Sequence, residues 1–97
     1  MAPTYDTAST FEDDWNKLTP DQRERLRTAV TRLVADLRTG TIRPGLRIKR
    51  VQGTDDVWEM TYAPDGRATF THGPEHRPGH AHIQWRRIGT HDVLNRP

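Results

Sequence analysis

The pattern of apolar and polar positions is clearest between residues 19 and 40. Apolar residues recur there at the spacing that places them on one face of an α-helix: Leu26, Ala29, Val30, Leu33, Val34 and Leu37. Thr19 is a favourable N-cap, Pro20 suits the first helical position, and Gly40 is a common helix terminator. We therefore predict a long amphipathic helix whose other face is rich in arginine.

A shorter helix is predicted ahead of it. Ser9 and Glu12 have the spacing of a capping box, and Phe11, Trp15 and Leu18 share one helical face. We expect this helix to end near Leu18. The residues before Ser9 suit either an irregular segment or a short first strand.

Beyond the loop at 39–45, apolar and polar residues alternate with the period of a β-strand. Four stretches show this alternation, beginning near Leu46, Val57, Arg67 and His82. A turn at 63–66 joins the second stretch to the third, and a polar loop at 73–79 precedes the fourth. The pattern predicts one α+β domain over residues 1–97, with two N-terminal helices packed on one face of a twisted, mainly antiparallel four-stranded sheet.

If the apolar side chains of the strands pack on the helices, the opposite sheet face is polar. Its expected members are Arg47, Lys49, Glu59, Thr61, Arg67, Thr69, His82, Gln84 and Arg86. An antiparallel sheet often exposes one polar face to water, so polarity alone indicates little. Like charges on neighbouring strands repel each other, however, and a bound anion would relieve that repulsion.

Charge is unevenly distributed along the chain. The net charge is only +2, but positions 23–50 hold nine Lys or Arg residues and two acidic ones. This bias fits an anionic partner, either nucleic acid or an acidic protein, although a solvated basic surface is also common. The chain has no cysteine, no signal-peptide pattern and no stretch apolar enough to span a membrane, so we expect a cytoplasmic protein.

The fourth strand pattern ends in residues that can act on a phosphodiester. Arg86 and Arg87 precede Gly89, Thr90 and His91. Arginine holds phosphate with fixed donors, and histidine can exchange a proton near neutral pH. A basic edge strand followed by a solvated tail is the simpler interpretation. The histidines at 72, 76, 80 and 82 have no thiolate nearby and lie in or beside a proline-rich loop, so we expect neither a metal site nor a cofactor.

Several motifs together resemble the RelE/ParE superfamily of toxins from type II toxin–antitoxin pairs, in particular its RelE/YafQ-like branch. The stretches that carry the resemblance are Phe11-x-x-x-Trp15-x-x-Leu18, Leu46-Arg47-Ile48-Lys49, Val57-Trp58-Glu59-Met60 with Arg67 to Phe70, and Gly89-Thr90-His91. The match covers nearly the whole chain, but Leu94 stands where YafQ-type members carry a phenylalanine.

The resemblance implies a ribosome-dependent mRNA endoribonuclease that uses 2′-hydroxyl attack and no metal, inhibited by an acidic antitoxin. It implies catalytic roles for Arg67, Arg86 and His91, and RNA contacts for Arg47, Lys49 and Arg87. Glu59 is a further catalytic candidate and His82 a further candidate RNA contact, because either could substitute for an upstream residue of the YafQ site. The upstream histidine and aspartate of the YafQ site have no clear counterpart here. A non-enzymatic toxin directed at a protein such as gyrase, or a basic binding module for RNA or protein, is therefore the alternative.

Overall fold

The computed structural model describes residues 4–73 and 82–97. The elements in chain order are β1 (Thr4–Thr7), α1 (Ser9–Lys17), α2 (Pro20–Thr39), a 3-10 turn (Pro44–Leu46), β2 (Lys49–Arg50), β3 (Val57–Thr61), β4 (Gly66–Gly73), β5 (His82–Thr90) and a C-terminal 3-10 helix (His91–Asn95). Most of the polar loop predicted at 73–79, which contains His76, lies outside the described residues, and so does His80.

The strands form one sheet in the order β1-β5-β4-β3-β2. Strand β1 runs parallel to β5, and the other neighbouring pairs are antiparallel. The α+β prediction is thus confirmed, but the prediction of four strands is wrong, because the sheet has five. The additional strand is the first one, which four residues near the N-terminus form against the last strand of the chain.

The long helix is set by local signals. Gln22 N–H donates to Thr19 Oγ1 over 3.2 Å, and Thr19 N–H donates to Gln22 Oε1 over 2.8 Å. Gly40 ends the helix in the left-handed conformation, with a φ of 81°. The predicted start and end of α2 therefore agree with the structure.

The start of α1 differs from the prediction by one residue. Ala8, not Ser9, is the N-cap, and no side chain caps this helix. Ala8 N–H donates to the Trp85 carbonyl over 2.9 Å, so pairing with β5 fixes the point at which the chain leaves the sheet. A long-range backbone contact here overrides a local capping signal.

The core lies between α2 and one face of the sheet. Leu26, Ala29 and Leu33 are buried against the apolar face of the strands. The buried sheet residues of this cluster are Met60, Ala68, Phe70, Ile83, Trp85 and Ile88. The predicted packing of the helices on the apolar sheet face is confirmed, and the opposite face is left for polar side chains. Neither helix has the length and apolar character needed to cross a membrane.

The strand predicted from Leu46 to Lys49 is largely a turn. Leu46 is buried at the end of the 3-10 turn, Arg47 has a φ of 49°, and only Lys49 and Arg50 pair with β3. The turn is anchored to α2 because Arg43 donates to both carboxylate oxygens of Asp36, each over 2.8 Å. These hydrogen bonds lower the pKa of Asp36 to about 2 and raise the pKa of Arg43.

A β-bulge interrupts the pairing of β4 with β5. Phe70 is opposite Trp85 whereas Thr69 is opposite Arg87, so Arg86 is the extra residue. Helix α1 covers the edge of β5 at this point, because Thr10 Oγ1 donates to the Arg86 carbonyl over 2.8 Å. Because of the bulge, Arg87 and not Arg86 lies opposite Thr69 on the polar sheet face.

Candidate active site

A row of polar residues crosses the sheet on the face opposite the helices. The strand register places Lys49 opposite Glu59, Glu59 opposite Thr69, and Thr69 opposite Arg87. Residues that are directly opposite each other in antiparallel strands share a face. The row therefore joins β2, β3, β4 and β5 and contains three of the residues predicted from the sequence.

Glu59 is the buried charged member of this row. Its side chain is only 5% exposed, and Oε1 lies 3.7 Å from Lys49 Nζ and 4.0 Å from Arg67 Nε. Burying a carboxylate is costly unless opposite charges or hydrogen-bond donors lie close to it. The two cations supply that compensation.

A pocket of about 500 Å³ brings Glu59, Lys49 and His91 together. Its other lining residues are Arg50, Val51, Gln52, Leu94 and Asn95. His91 is exposed and is the first residue of the C-terminal 3-10 helix, which packs next to β4 and β5. The pocket thus combines a carboxylate, an imidazole and two basic side chains, which is the set that acid–base chemistry on a phosphodiester requires.

The chain just before His91 is held by two contacts. Tyr62 O–H donates to the Gly89 carbonyl over 3.1 Å, and burial raises the pKa of Tyr62, so the hydroxyl is a protonated donor at neutral pH. A Cβ on Gly89 would lie 2.7 Å from Val93 Cγ1, so a larger residue here would force Val93 or the 3-10 helix to shift. These contacts determine where the His91 backbone lies relative to the sheet.

Arg67 lies beside this pocket and not in its wall. Its side chain is 15% exposed, and Nη1 is 3.0 Å from the Gly66 carbonyl, with Ala63 and Pro64 carbonyls at 3.5 and 3.4 Å. The guanidinium therefore caps the turn between β3 and β4. Its Nε faces Glu59, which makes Glu59 the link between Arg67 and the His91 pocket.

The two arginines at the bulge are engaged elsewhere. Arg87 Nε donates to Asp14 Oδ2 over 2.7 Å, which raises the pKa of Arg87. Arg86 Nε donates to the Pro97 carbonyl over 3.1 Å. Neither side chain lines the pocket around His91. The structure therefore does not bring Arg86 or Arg87 to the carboxylate and imidazole.

Sequence reasoning missed the acidic partner of Arg87. Asp14 is 8% exposed and also accepts the Ile88 N–H over 3.0 Å. It lies on the face of α1 that Phe11 and Trp15 share, where a carboxylate is out of place unless it is paired. That position was the available signal, but nothing local identified a partner on β5.

His82 and Arg47 are also outside the pocket. His82 is 2% exposed, with Nε2 3.0 Å from Asp6 Oδ2 on β1, so β1 removes it from the accessible surface. Arg47 is exposed, but it precedes β2 in the chain and lines a different cavity, next to α2. Within residues 4–73 and 82–97, no group of three or more His, Asp or Glu side chains is arranged to hold a metal ion.

Comparison with solved structures identifies the fold. The chain is similar to the E. coli DinJ–YafQ toxin–antitoxin complex, with a TM-score of 0.72, 14% identity, and 97% of this chain and 98% of that chain covered. For the RelB–RelE antitoxin–toxin complex from Methanococcus jannaschii the TM-score is 0.64 at 14% identity, covering 93% and 94%. For the YoeB/ParE toxin from Agrobacterium tumefaciens it is 0.66 at 12% identity, covering 91% and 98%.

At the level of sequence, no protein-family model and no curated protein matches the chain. The identities to the solved structures are low, yet the superpositions span nearly the whole length of both partners. The chain has the fold of the RelE/YafQ/YoeB/ParE toxins, as the sequence motifs predict.

Proposed function

We propose that this chain is the toxin of a type II toxin–antitoxin pair and cleaves mRNA on the ribosome in the cytoplasm. The observation that carries the proposal is the pocket that joins His91, Glu59 and Lys49 on the open side of this fold. One fold can carry many activities, so these side chains and their arrangement in the pocket are what favour cleavage of RNA.

The chemistry needs one proton acceptor, one proton donor and fixed positive charge. Glu59 accepts the proton of a ribose 2′-hydroxyl, whose oxygen attacks the adjacent phosphorus. The bond to the 5′-oxygen breaks as His91 donates a proton to that oxygen. The products are a 2′,3′-cyclic phosphate and a free 5′-hydroxyl, so atoms and charge balance without a metal ion.

Lys49 and Arg67 compensate the charge that builds on the phosphate. Both already flank Glu59 within 4.0 Å; the Arg67 side chain is only 15% exposed and is held in place before substrate binds, whereas Lys49 is 70% exposed. Preorganised cations cost little reorganisation during the reaction, which is why such groups contribute strongly to rate. When Glu59 takes up the proton its negative charge disappears, and both cations are then matched by the phosphate alone.

The expected partner besides the ribosome is an acidic antitoxin. Two of the similar structures are toxin–antitoxin complexes. The exposed side of α2 carries several arginines, among them Arg25, Arg27, Arg32 and Arg38. An acidic segment would be attracted to that surface at low salt.

The test is to map mRNA 5′ ends on programmed ribosomes incubated with wild-type protein or with His91→Ala. We expect new 5′-hydroxyl ends with the wild type and a strong loss with the variant. Growth arrest by both proteins, with no new ends, would overturn the enzyme proposal.

One observation favours the protein-directed alternative. The guanidinium groups of Arg67, Arg86 and Arg87 all contact other parts of the chain. Fewer arginines are then available to phosphate than the sequence motifs indicate. If no RNA is cut, inhibition of purified gyrase by the wild-type protein is the measurement that supports this second function.

A further inference from the structure

A second cavity, of about 620 Å³, lies between α2 and the turn that joins β3 to β4. It shares no lining residue with the His91 pocket. Four arginines and one carboxylate carry the charge of its lining, namely Arg25, Arg32, Arg47, Arg67 and Glu24. We call it the basic cleft. The cleft is strongly positive, and of its four arginines only Arg67 takes part in the proposed cleavage reaction.

Two of these arginines are available to a ligand. The guanidinium groups of Arg32 and Arg47 make no hydrogen bond or ion pair within the described part of the chain, and both residues are exposed. Arg25 is paired with Asp21, but their side chains are 52% and 78% exposed. Such a surface pair contributes little and exchanges readily with a bound phosphate.

The carboxylate in the cleft does not cancel this charge. Glu24 Oε2 lies 3.8 Å from Arg27 Nη1, and Arg27 is not part of the lining. The carboxylate is therefore partly balanced by a cation outside the cleft. Residues at 25, 28 and 32 follow one another on the same face of α2, so Arg25 and Arg32 project to the same side of the helix. Arg47 and Arg67 face them from the turn and from β4.

The backbone of Arg47 adds an independent observation. In residues 4–73 and 82–97, Arg47 is the one non-glycine residue with positive φ, at 49°. An L side chain there is strained, and strain of this kind tends to occur where a side chain serves a function. Glycine would fit this backbone more easily but would leave the cleft without its charge.

We propose that the basic cleft binds backbone phosphates of the single-stranded RNA whose scissile bond lies in the His91 pocket; this rests on the proposed endoribonuclease function. The two sites are connected, because Arg67 lines the cleft while its Nε lies 4.0 Å from Glu59 in the pocket. A strand leaving the pocket passes Arg67 and enters the cleft between Arg32 and Arg47.

A single strand fits better than a duplex. The protein measures only 34 × 25 × 23 Å, so an RNA double helix is nearly as wide as the whole molecule and cannot enter one cleft of it. Single-strand binding sites commonly consist of a basic groove that follows the backbone. The contacts here would be to phosphate and would carry no base preference.

The experiment measures binding of a 2′-deoxy-substituted, uncleavable single strand by fluorescence anisotropy at several salt concentrations. The variants are Arg32→Gln and Arg47→Gly, and the matched control is Arg38→Gln, an exposed arginine on α2 outside the cleft. Each lost phosphate contact should reduce the log–log salt slope by about 0.7, and the double variant by about 1.4. The control should retain the wild-type slope.

Arg47→Gly separates binding from folding. It removes the charge while relieving the positive-φ strain, so its melting temperature should equal or exceed that of the wild type. Lower affinity in an equally stable protein supports the cleft. The cleft proposal would be overturned if the double variant kept the wild-type slope and affinity. It would also be overturned if the protein bound a duplex more tightly than the single strand, or if the wild type bound no RNA.

The result is independent of catalysis. If the wild type cuts no RNA but the cleft variants lose affinity and slope, the cleft proposal stands and the endoribonuclease proposal fails. If His91→Ala abolishes cleavage while the cleft variants bind like Arg38→Gln, the endoribonuclease proposal stands and the cleft proposal fails.

Discussion

Asp14 on α1 and Arg87 on β5 form an ion pair with a Nε–Oδ2 distance of 2.7 Å, although 73 positions separate them in the chain. The same carboxylate accepts the Ile88 N–H over 3.0 Å. One side chain thus fixes α1 against the part of β5 that β1 does not cover. It also removes from the pocket an arginine that the sequence places among the phosphate ligands.

Asp14→Ala should destabilise the fold, because it leaves the Ile88 N–H and the Arg87 guanidinium without their acceptor. We expect a loss of roughly 1–3 kcal/mol, the usual cost of an unsatisfied buried group. Urea unfolding of the variant and the wild type measures it. Asp14→Asn keeps one acceptor and should lose less; an unchanged midpoint in Asp14→Ala would contradict this role.

His91→Ala should keep the fold, because the imidazole is exposed on a short C-terminal helix. Single-turnover cleavage should fall by ~10²–10⁴, the usual contribution of a positioned proton donor. A substrate whose leaving 5′-oxygen is replaced by sulfur needs no proton and should regain most of the rate. A variant equally slow on both substrates would show that His91 is not the acid.

Arg67→Ala should lower cleavage by ~10²–10³, because it removes a cation that acts on transition-state charge. The sulfur-substituted substrate should not restore the rate, since the phosphate charge remains unmatched. The pair of variants on the pair of substrates therefore separates a proton donor from an electrostatic group. Equal rescue of both variants would argue against the separate roles.

Gly89→Ala should reduce cleavage without abolishing folding. The new Cβ would lie 2.7 Å from Val93 Cγ1, so we expect Val93 and the helix that carries His91 to shift. Overpacking of this kind typically costs about 1–3 kcal/mol. The control is the double variant Gly89→Ala with Val93→Ala, in which the methyl group is gone and much of the rate should return. No recovery would indicate that another contact positions His91.

The Asp36–Arg43 pair should make stability depend on acid pH. The pKa of Asp36 is about 2 in the folded protein against 3.8 for a free side chain. Because the folded pKa is depressed, the contribution is present above 3.8 and is lost as the pH falls toward about 2. In urea unfolding, the difference between wild type and Asp36→Asn should be constant from pH 5 to 7, shrink below pH 3.8 and be mostly lost near pH 2. A difference as large at pH 2 as at pH 7 would contradict this assignment.

The sequence by itself determined the elements whose signals are local. Thr19, Gln22 and Gly40 set the ends of α2 through contacts within a few residues, and the turn at 63–66 sets the hairpin of β3 and β4. The position of Glu59 on the polar face followed from simple alternation. These features need no knowledge of distant residues.

Only the tertiary structure decided which predicted site residues meet. The pairing of β1 with β5 buries His82 beside Asp6, and the bulge at Arg86 places Arg87 opposite Thr69. Pairing between the two ends of a chain depends on the register that the packed core permits, which no local pattern encodes. For the same reason, the sequence predicts that Arg86 and Arg87 both contact phosphate, whereas in the folded chain Arg87 is paired with Asp14.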